Sequence, residues 1–158
     1  MAQRSLSKID QLLLGVDKAL RAVVPHSNPS TRPLPVSSDE IPELSINEAR
    51  HVAGLMRINH TGEVCAQGLY HGQAFAAKND DVKQAMQQSA EEEVDHLVWC
   101  EVRLDELGSH PSIFTPLWYG MSFGLGAVAG AISNEFSLGF VAETEAQVSE
   151  HLQDHIGQ

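Results

Sequence analysis

Only two cysteines occur in the 158-residue sequence, Cys65 and Cys100. Neither belongs to a C-x-x-C pair, which removes a disulfide framework and a zinc knuckle and points to a reducing compartment. Basic residues are also scarce. Ten Lys and Arg stand against twenty-one Asp and Glu, a formal net charge of −11, whereas a protein that holds a nucleic-acid backbone carries a basic patch. No nucleic-acid partner is expected. A long hydrophobic run is missing as well: the uncharged stretch 111–134, PSIFTPLWYGMSFGLGAVAGAISN, is interrupted by glycine and falls short of the ~20 strongly apolar residues that span a bilayer. Asp10 and Asp17 break the apolar N-terminal residues, so no signal-peptide core is present. There is no G-x-G-x-x-G after a strand, and Gly124-Leu125-Gly126 lies in a helical apolar stretch, so a dedicated nucleotide-binding domain is excluded.

What is present fits one all-α domain: 42% hydrophobic residues are enough to bury a core at this length. Residues 1–24 read as an amphipathic arm. Residues 25–44 form a linker, since five prolines between Pro25 and Pro42 forbid a regular helix. The body, 45–158, opens on a capping box, Ser45-Ile46-Asn47-Glu48, that starts a helix over 47–77. Asn79 or Asp80 caps a second helix, which Gly108 ends. These two helices are antiparallel neighbours across a tight turn.

On the second helix, Val82, Met86, Ala90, Leu97, Cys100, Leu104 and Leu107 mark a buried stripe, and Glu93 falls on it. A carboxylate there is costly unless neutralised, and a metal ion does that well. His96 lies three residues on, about 60° around the helix, so both side chains reach one ion. Such a Glu-x-x-His is the helical half-site of carboxylate-bridged di-iron bundles, although alone it also fits a charged surface helix with a histidine at its edge. Two further inward carboxylates strengthen the pattern. Glu63 shares a face with Val52, Leu55, Met56, Asn59, Ala66 and Tyr70, and Glu145 shares one with Leu138, Val141, Ala142, Val148 and Leu152. In 111–134, Gly120 and Gly124, then Gly126 and Gly130, recur at four-residue spacing, which lets a helix or a flat ligand approach. Trp118 and Tyr119 suit a membrane interface. A core helix of a bundle and a membrane-surface helix fit this stretch equally.

Five motifs occur in order: Leu55-Met56-Arg57-Ile58-Asn59-His60-Thr61-Gly62-Glu63, Gly68-Leu69-Tyr70-His71-Gly72-Gln73, Glu93-Val94-Asp95-His96-Leu97, Pro116-Leu117-Trp118, and Gly139-Phe140-Val141-Ala142-Glu143-Thr144-Glu145. Together they resemble the bacterial demethoxyubiquinone hydroxylases over roughly 45–156. The resemblance implies a ferritin-like helical bundle, a peripheral seat on the cytoplasmic face of the cell membrane, two Fe ions, and hydroxylation of the ring of demethoxyubiquinol by O2 in ubiquinone biosynthesis. It implies Glu63 as a terminal ligand, Glu93 as a bridging carboxylate, His96 as a nitrogen ligand and Glu145 as the single Glu of another helix. His151 resembles a family histidine near the cluster; it stands about 240° round the helix from Glu145 and equally fits a solvent-facing residue. Trp118, Tyr119 and Phe123 are the candidates for quinol and membrane contact. NADH is the implied electron donor, and other ubiquinone-biosynthesis proteins are the implied partners; self-association is expected separately, from the apolar faces that a missing helix would leave uncovered.

The sequence departs from the family in one respect. A fourth helix with a second Glu-x-x-His is expected, and the only other such motif, Glu48-Ala49-Arg50-His51, lies fifteen residues before Glu63, about 22 Å along the same helix. The expectation is therefore a ferritin-like bundle lacking its fourth ligand-bearing helix, as a fragment, a frameshifted product or a three-helix form, with ligands for one metal and too few for a stable pair. Two other functions stay open beside the hydroxylase: another ferritin-like di-iron oxidase, and a catalytically incomplete membrane-surface protein that binds quinone.

Overall fold

The computed structural model describes residues 7–35 and 43–156, so the end of the linker, 36–42, lies outside the described residues. Five helices follow one another: α1 (Lys8–Val23), α2 (Ile46–Ala76), α3 (Asp80–Glu106), α4 (Thr115–Ile132) and α5 (Asn134–Ile156). Among the described residues there is no strand.

Local chemistry sets the helix ends. The Ser45–Glu48 capping box opens α2 and a second one, Ser7–Asp10, opens α1, each satisfying two otherwise orphaned backbone N–H groups. Asn79 caps α3 by accepting from the Asp81 N–H at 2.7 Å. At its far end Gly108 adopts φ +61, which turns the chain so that the Ser109 N–H closes on the Leu104 carbonyl at 2.8 Å.

The long helix α2 is central, packed along α3 on one side and α4 on another. Its contact with α4 is made backbone to backbone. A Cβ added at Gly72 would collide with the Phe123 carbonyl, one at Gly126 with the Leu69 carbonyl, and one at Gly130 would lie 2.8 Å from the Gln73 carbonyl. Gly126 and Gly130 thus serve the close approach that their spacing suggests. Gly120 and Gly124 do not: nothing lies within 4 Å of a Cβ at either position. Two apolar clusters complete the core. Tyr70, Ala74, Val82, Met86 and Ala90 join α2 to α3 with Val141 of α5 against them, and Ala22, Val64, Leu97 and Tyr119 tie α1, α2, α3 and α4 together.

The proline-rich segment after α1 is bound to the bundle. His26, at φ +59, turns the chain so that its backbone N–H donates to Glu101 at 3.0 Å. Further on, Ser30, Thr31 and Arg32 all donate to the buried carboxylate of Asp95 on α3. The face of α5 read from the sequence as inward is mostly outward: Leu138, Val148 and Leu152 are exposed, and α5 reaches the rest through Ser137, Val141 and Glu145.

The glycine contact makes a sharp expectation. Gly72→Ala and Gly126→Ala each place a methyl group into a facing carbonyl and should cost about 3 kcal/mol or more, or prevent folding. Gly124→Ala, in open space, should be neutral or gain up to about 1 kcal/mol. Urea denaturation of the three variants checks the order.

Candidate metal centre

The half of α2 that carries Glu63 lies against the half of α3 that carries Glu93, because Tyr70 and Ala66 on the same face pack onto Met86 and Ala90 one and two turns below. The two carboxylates and the His96 imidazole are thereby brought together, with ligand-capable atoms all within 4.8 Å of one another. Among the described residues this is the one such group of three. His96 Nδ1 lies 2.8 Å from Glu93 Oε2. Glu63 is the most perturbed member: burial first, then the charge of Glu93, a hydrogen bond with Glu93 and the charge of Glu145 push its carboxyl up to about 9. At neutral pH one proton is therefore held between Glu63 and Glu93. Such a proton occupies the place where a cation would do the same electrostatic work.

Glu145 lies close enough to act on Glu63 but is not one of the three converging ligands. Its carboxylate accepts from the Tyr70 hydroxyl. Burial and then that bond push the Tyr70 hydroxyl far up, so it stays a donor. Glu145 itself is exposed, against the inward position its periodicity suggests, because α5 touches the bundle along a narrow line. His151 is also exposed and is not part of the group. Cys100, buried one turn beyond His96, has its thiol pushed up to about 12 by burial and by the charges of Glu63 and Glu101, so it is neither a nucleophile nor a ready ligand.

The aromatic residues of α4 divide. Trp118 is exposed and Phe123 is half-buried against Phe75 and Tyr119. Tyr119 is a correction to the interface reading: it turns inward, only 8% exposed, and its hydroxyl lies 2.8 Å from His71 Nδ1. Burial and the charge of Lys18 lower His71 to about 4, and burial raises Tyr119 to about 12, so this pair is neutral over the physiological range. The periodicity of 111–134 did not separate Trp118 from Tyr119, since adjacent residues differ by only about 100° around a helix. Asp95 is the residue missed altogether. Burial disfavours its charge, but the hydrogen bonds from Arg32, Thr31 and Ser30 outweigh this and hold the carboxyl well below the usual range.

A pH dependence follows from Glu63. Its folded value of about 9 stands above the ordinary 4.5, so between these values the folded chain keeps a proton that the unfolded chain releases. Stability of the metal-free chain is therefore greatest at acid pH with respect to this group and falls as pH rises toward 9. Glu63→Gln, a neutral isostere, should remove that slope and stabilise the metal-free chain at pH 7.5 by on the order of 2 kcal/mol. Denaturant midpoints of both proteins at pH 5, 7 and 8.5 check it.

Comparison with known proteins identifies the family. The sequence profile of the ubiquinone biosynthesis protein COQ7 family matches residues 50–158. The 3-demethoxyubiquinol 3-hydroxylase of Psychrobacter cryohalolentis is 93% identical over all 158 residues, which cover 74% of that protein. The protein of the same name from Stutzerimonas stutzeri is 59% identical over 157 residues, covering 99% of this chain and 73% of the relative. No solved structure matches the chain. With the matched region spanning α2 to α5, and thus every residue that meets at Glu63, the chain belongs to the ubiquinone biosynthesis protein COQ7 family.

Proposed function

We propose that the chain is a 3-demethoxyubiquinol 3-hydroxylase that uses Glu63, Glu93 and His96 to hold iron beside a lipid surface. The hydroxylase assignment rests on relatives of that name at 93% and 59% identity. The observation that carries the metal reading is the convergence of two carboxylates and an imidazole within 4.8 Å. Hard oxygen donors with one imidazole are the donor set that suits iron, and the shared proton at Glu63 marks the spot where positive charge is wanted. The resemblance implies a pair of irons, and these residues, with Glu145 beside them, are the part of that site this chain brings together.

Iron, when bound, supplies the activation of dioxygen that puts one oxygen atom on the quinol ring and releases the other as water. The chain's own residues do the rest. Were a cation to bind, Glu63 would give up its proton and the pair of carboxylates would become an anionic cradle. Tyr70 donates to Glu145 and fixes where that third carboxylate stands. The neutral Tyr119–His71 pair places no charge on the inner side of α4. NADH as electron source and other proteins of ubiquinone biosynthesis as partners belong to the same reading.

Peripheral membrane contact completes it. No helix among the described residues is long and apolar enough to cross a membrane. Yet α4 exposes Leu117, Trp118, Met121, Leu125, Val128 and Ile132, and α1, which touches α4, exposes Ile9, Leu12, Leu13, Val16 and Leu20. Two adjoining helices with apolar outer faces suit burial at the headgroup boundary, where the long tail of a quinol would lie.

Anaerobic titration with ferrous iron tests the centre. Wild-type chain should bind, and Glu93→Gln and His96→Ala should bind at least tenfold more weakly. On admitting 18O-labelled oxygen with a short-tailed demethoxyubiquinol, mass spectrometry should find one labelled oxygen atom on the ring. Iron affinity indifferent to both substitutions would overturn the reading. The membrane part is checked by flotation with liposomes: wild type should float and the double variant Trp118→Glu, Leu125→Glu should stay at the bottom at both low and high salt.

A further inference from the structure

The segment after α1 forms a strap, and its contacts at residues 30–32 converge on the turn of α3 that carries His96. Asp95, only 4% exposed, is the anchor. Its Oδ1 accepts from Ser30 Oγ at 3.0 Å and from the backbone N–H groups of Thr31 and Arg32 at 2.6 and 3.3 Å. Its Oδ2 accepts from Thr31 Oγ1 at 2.8 Å and from Arg32 Nε at 2.7 Å. Five donors on one carboxylate is more than a linker needs in order to lie on a surface. The guanidinium of Arg32 does two more things: its Nη2 donates to the Glu92 carbonyl at 3.1 Å, and its carbon stands 5.1 Å from the centroid of the Trp99 ring. Trp99 in turn lies 5.2 Å, centroid to centroid, from the His96 ring.

We propose that residues 30–32 position the metal centre: Arg32, held by Asp95, braces Trp99 against the His96 imidazole and so fixes the ring's orientation toward Glu93 and Glu63. Physical reasoning favours this over simple tethering. His96 is flanked in sequence by the anchor Asp95 and three residues on by the braced Trp99, so the strap fixes the helix beside it and the ring that packs on it. A guanidinium over an indole is attractive by roughly 0.5–1 kcal/mol at a part-exposed site and more when desolvated. That is enough to bias a ring between rotamers, though not enough to hold an arm by itself. Groups that orient a ligand histidine from outside the metal commonly govern affinity 10- to 100-fold. The inference rests on the proposed metal centre, with the strap acting through His96.

The test uses the full chain and two readouts. In metal-free protein, side-chain 15N NMR of the His96 imidazole should show one sharp pattern in wild type and a shifted or exchange-broadened one in Arg32→Ala and Asp95→Asn. Anaerobic ferrous-ion titration should show affinity 10- to 100-fold lower in both variants. Arg32→Lys should not restore it, because a lysine lacks the planar group that lies over Trp99. As a control, Arg21→Ala removes the bond from α1 to the Ser27 carbonyl at the start of the same arm, and the pair with Asp17, but has no route to His96, and it should leave both readouts at wild-type values. Should Arg32→Ala unfold, Trp99→Leu removes the brace alone and should give the same two changes. If wild type binds no iron, the metal reading fails and the NMR pattern alone decides the strap. Unchanged His96 signals in Arg32→Ala and Asp95→Asn overturn the proposal, as does a change of equal size in Arg21→Ala.

Discussion

Glu63 and Glu93 face each other across α2 and α3 in a partly buried site, and a repulsion of that kind must be relieved in every state of the protein. Without a cation it is relieved by a proton, which is why burial and the neighbouring carboxylates raise Glu63 to about 9. With a cation, as proposed above, the same two groups would become ligands. The packing beneath them fits this double duty: Tyr70, Met86 and Ala90 are buried and fix the helix pair, while Glu63, Glu93 and His96 are each only partly buried. The cost of holding carboxylates together is thus carried by an ordinary apolar cluster one turn away, not by the site itself.

Much of this was legible in the sequence. The capping box at Ser45, the cap at Asn79 and the glycine stop at Gly108 each have a local cause, and each stands where local chemistry puts it. The juxtaposition of Glu63 with Glu93 and His96 was legible because an acid on an apolar stripe is a conflict that periodicity exposes. What periodicity could not give was depth. On α2 the most deeply buried residues include His60, Val64, Gln67 and Gln73, and two of these polar side chains face α3 as Glu63 does: Gln67 donates to the Ala90 carbonyl and His60 stands 3.6 Å from Glu101. On α5 a regular apolar face is exposed since the helix meets few neighbours. Periodicity reports which residues share a face and says nothing of which face finds a partner.

Tyr70 and Asp95 show a second limit. Both lie inside motifs that stand out by eye, and both owe their roles to residues far off in the chain: Glu145 for the first, residues 30–32 for the second. Asp95 sits between two candidate ligands, yet points away from them, since neighbours in a helix lie about 100° apart. Only the path of the proline-rich segment reveals its use. The prolines that rule out a helix there also keep the segment extended, so that successive backbone N–H groups, at Thr31 and Arg32, are free to converge on one carboxylate.

The exposed apolar face of α4 follows from the same physics that builds its inner face. Close approach to α2 requires glycine at Gly126 and Gly130 against the backbone of Leu69 and Gln73, and at Gly68 and Gly72 against that of Tyr119 and Phe123, because any Cβ there meets backbone. With small residues committed inward, the bulky side chains at Leu117, Met121, Leu125, Val128 and Ile132, spaced by four, four, three and four residues, fall together on the opposite side. A helix of this kind is turned inside out relative to a water-facing bundle: it gains packing where its backbone meets α2 and leaves its apolar area outside. Water is a poor surrounding for such a face. The proposed membrane contact would give that face an apolar surrounding, and on that proposal the glycines that hold α4 to α2 and the side chains that would meet lipid are two consequences of one packing choice.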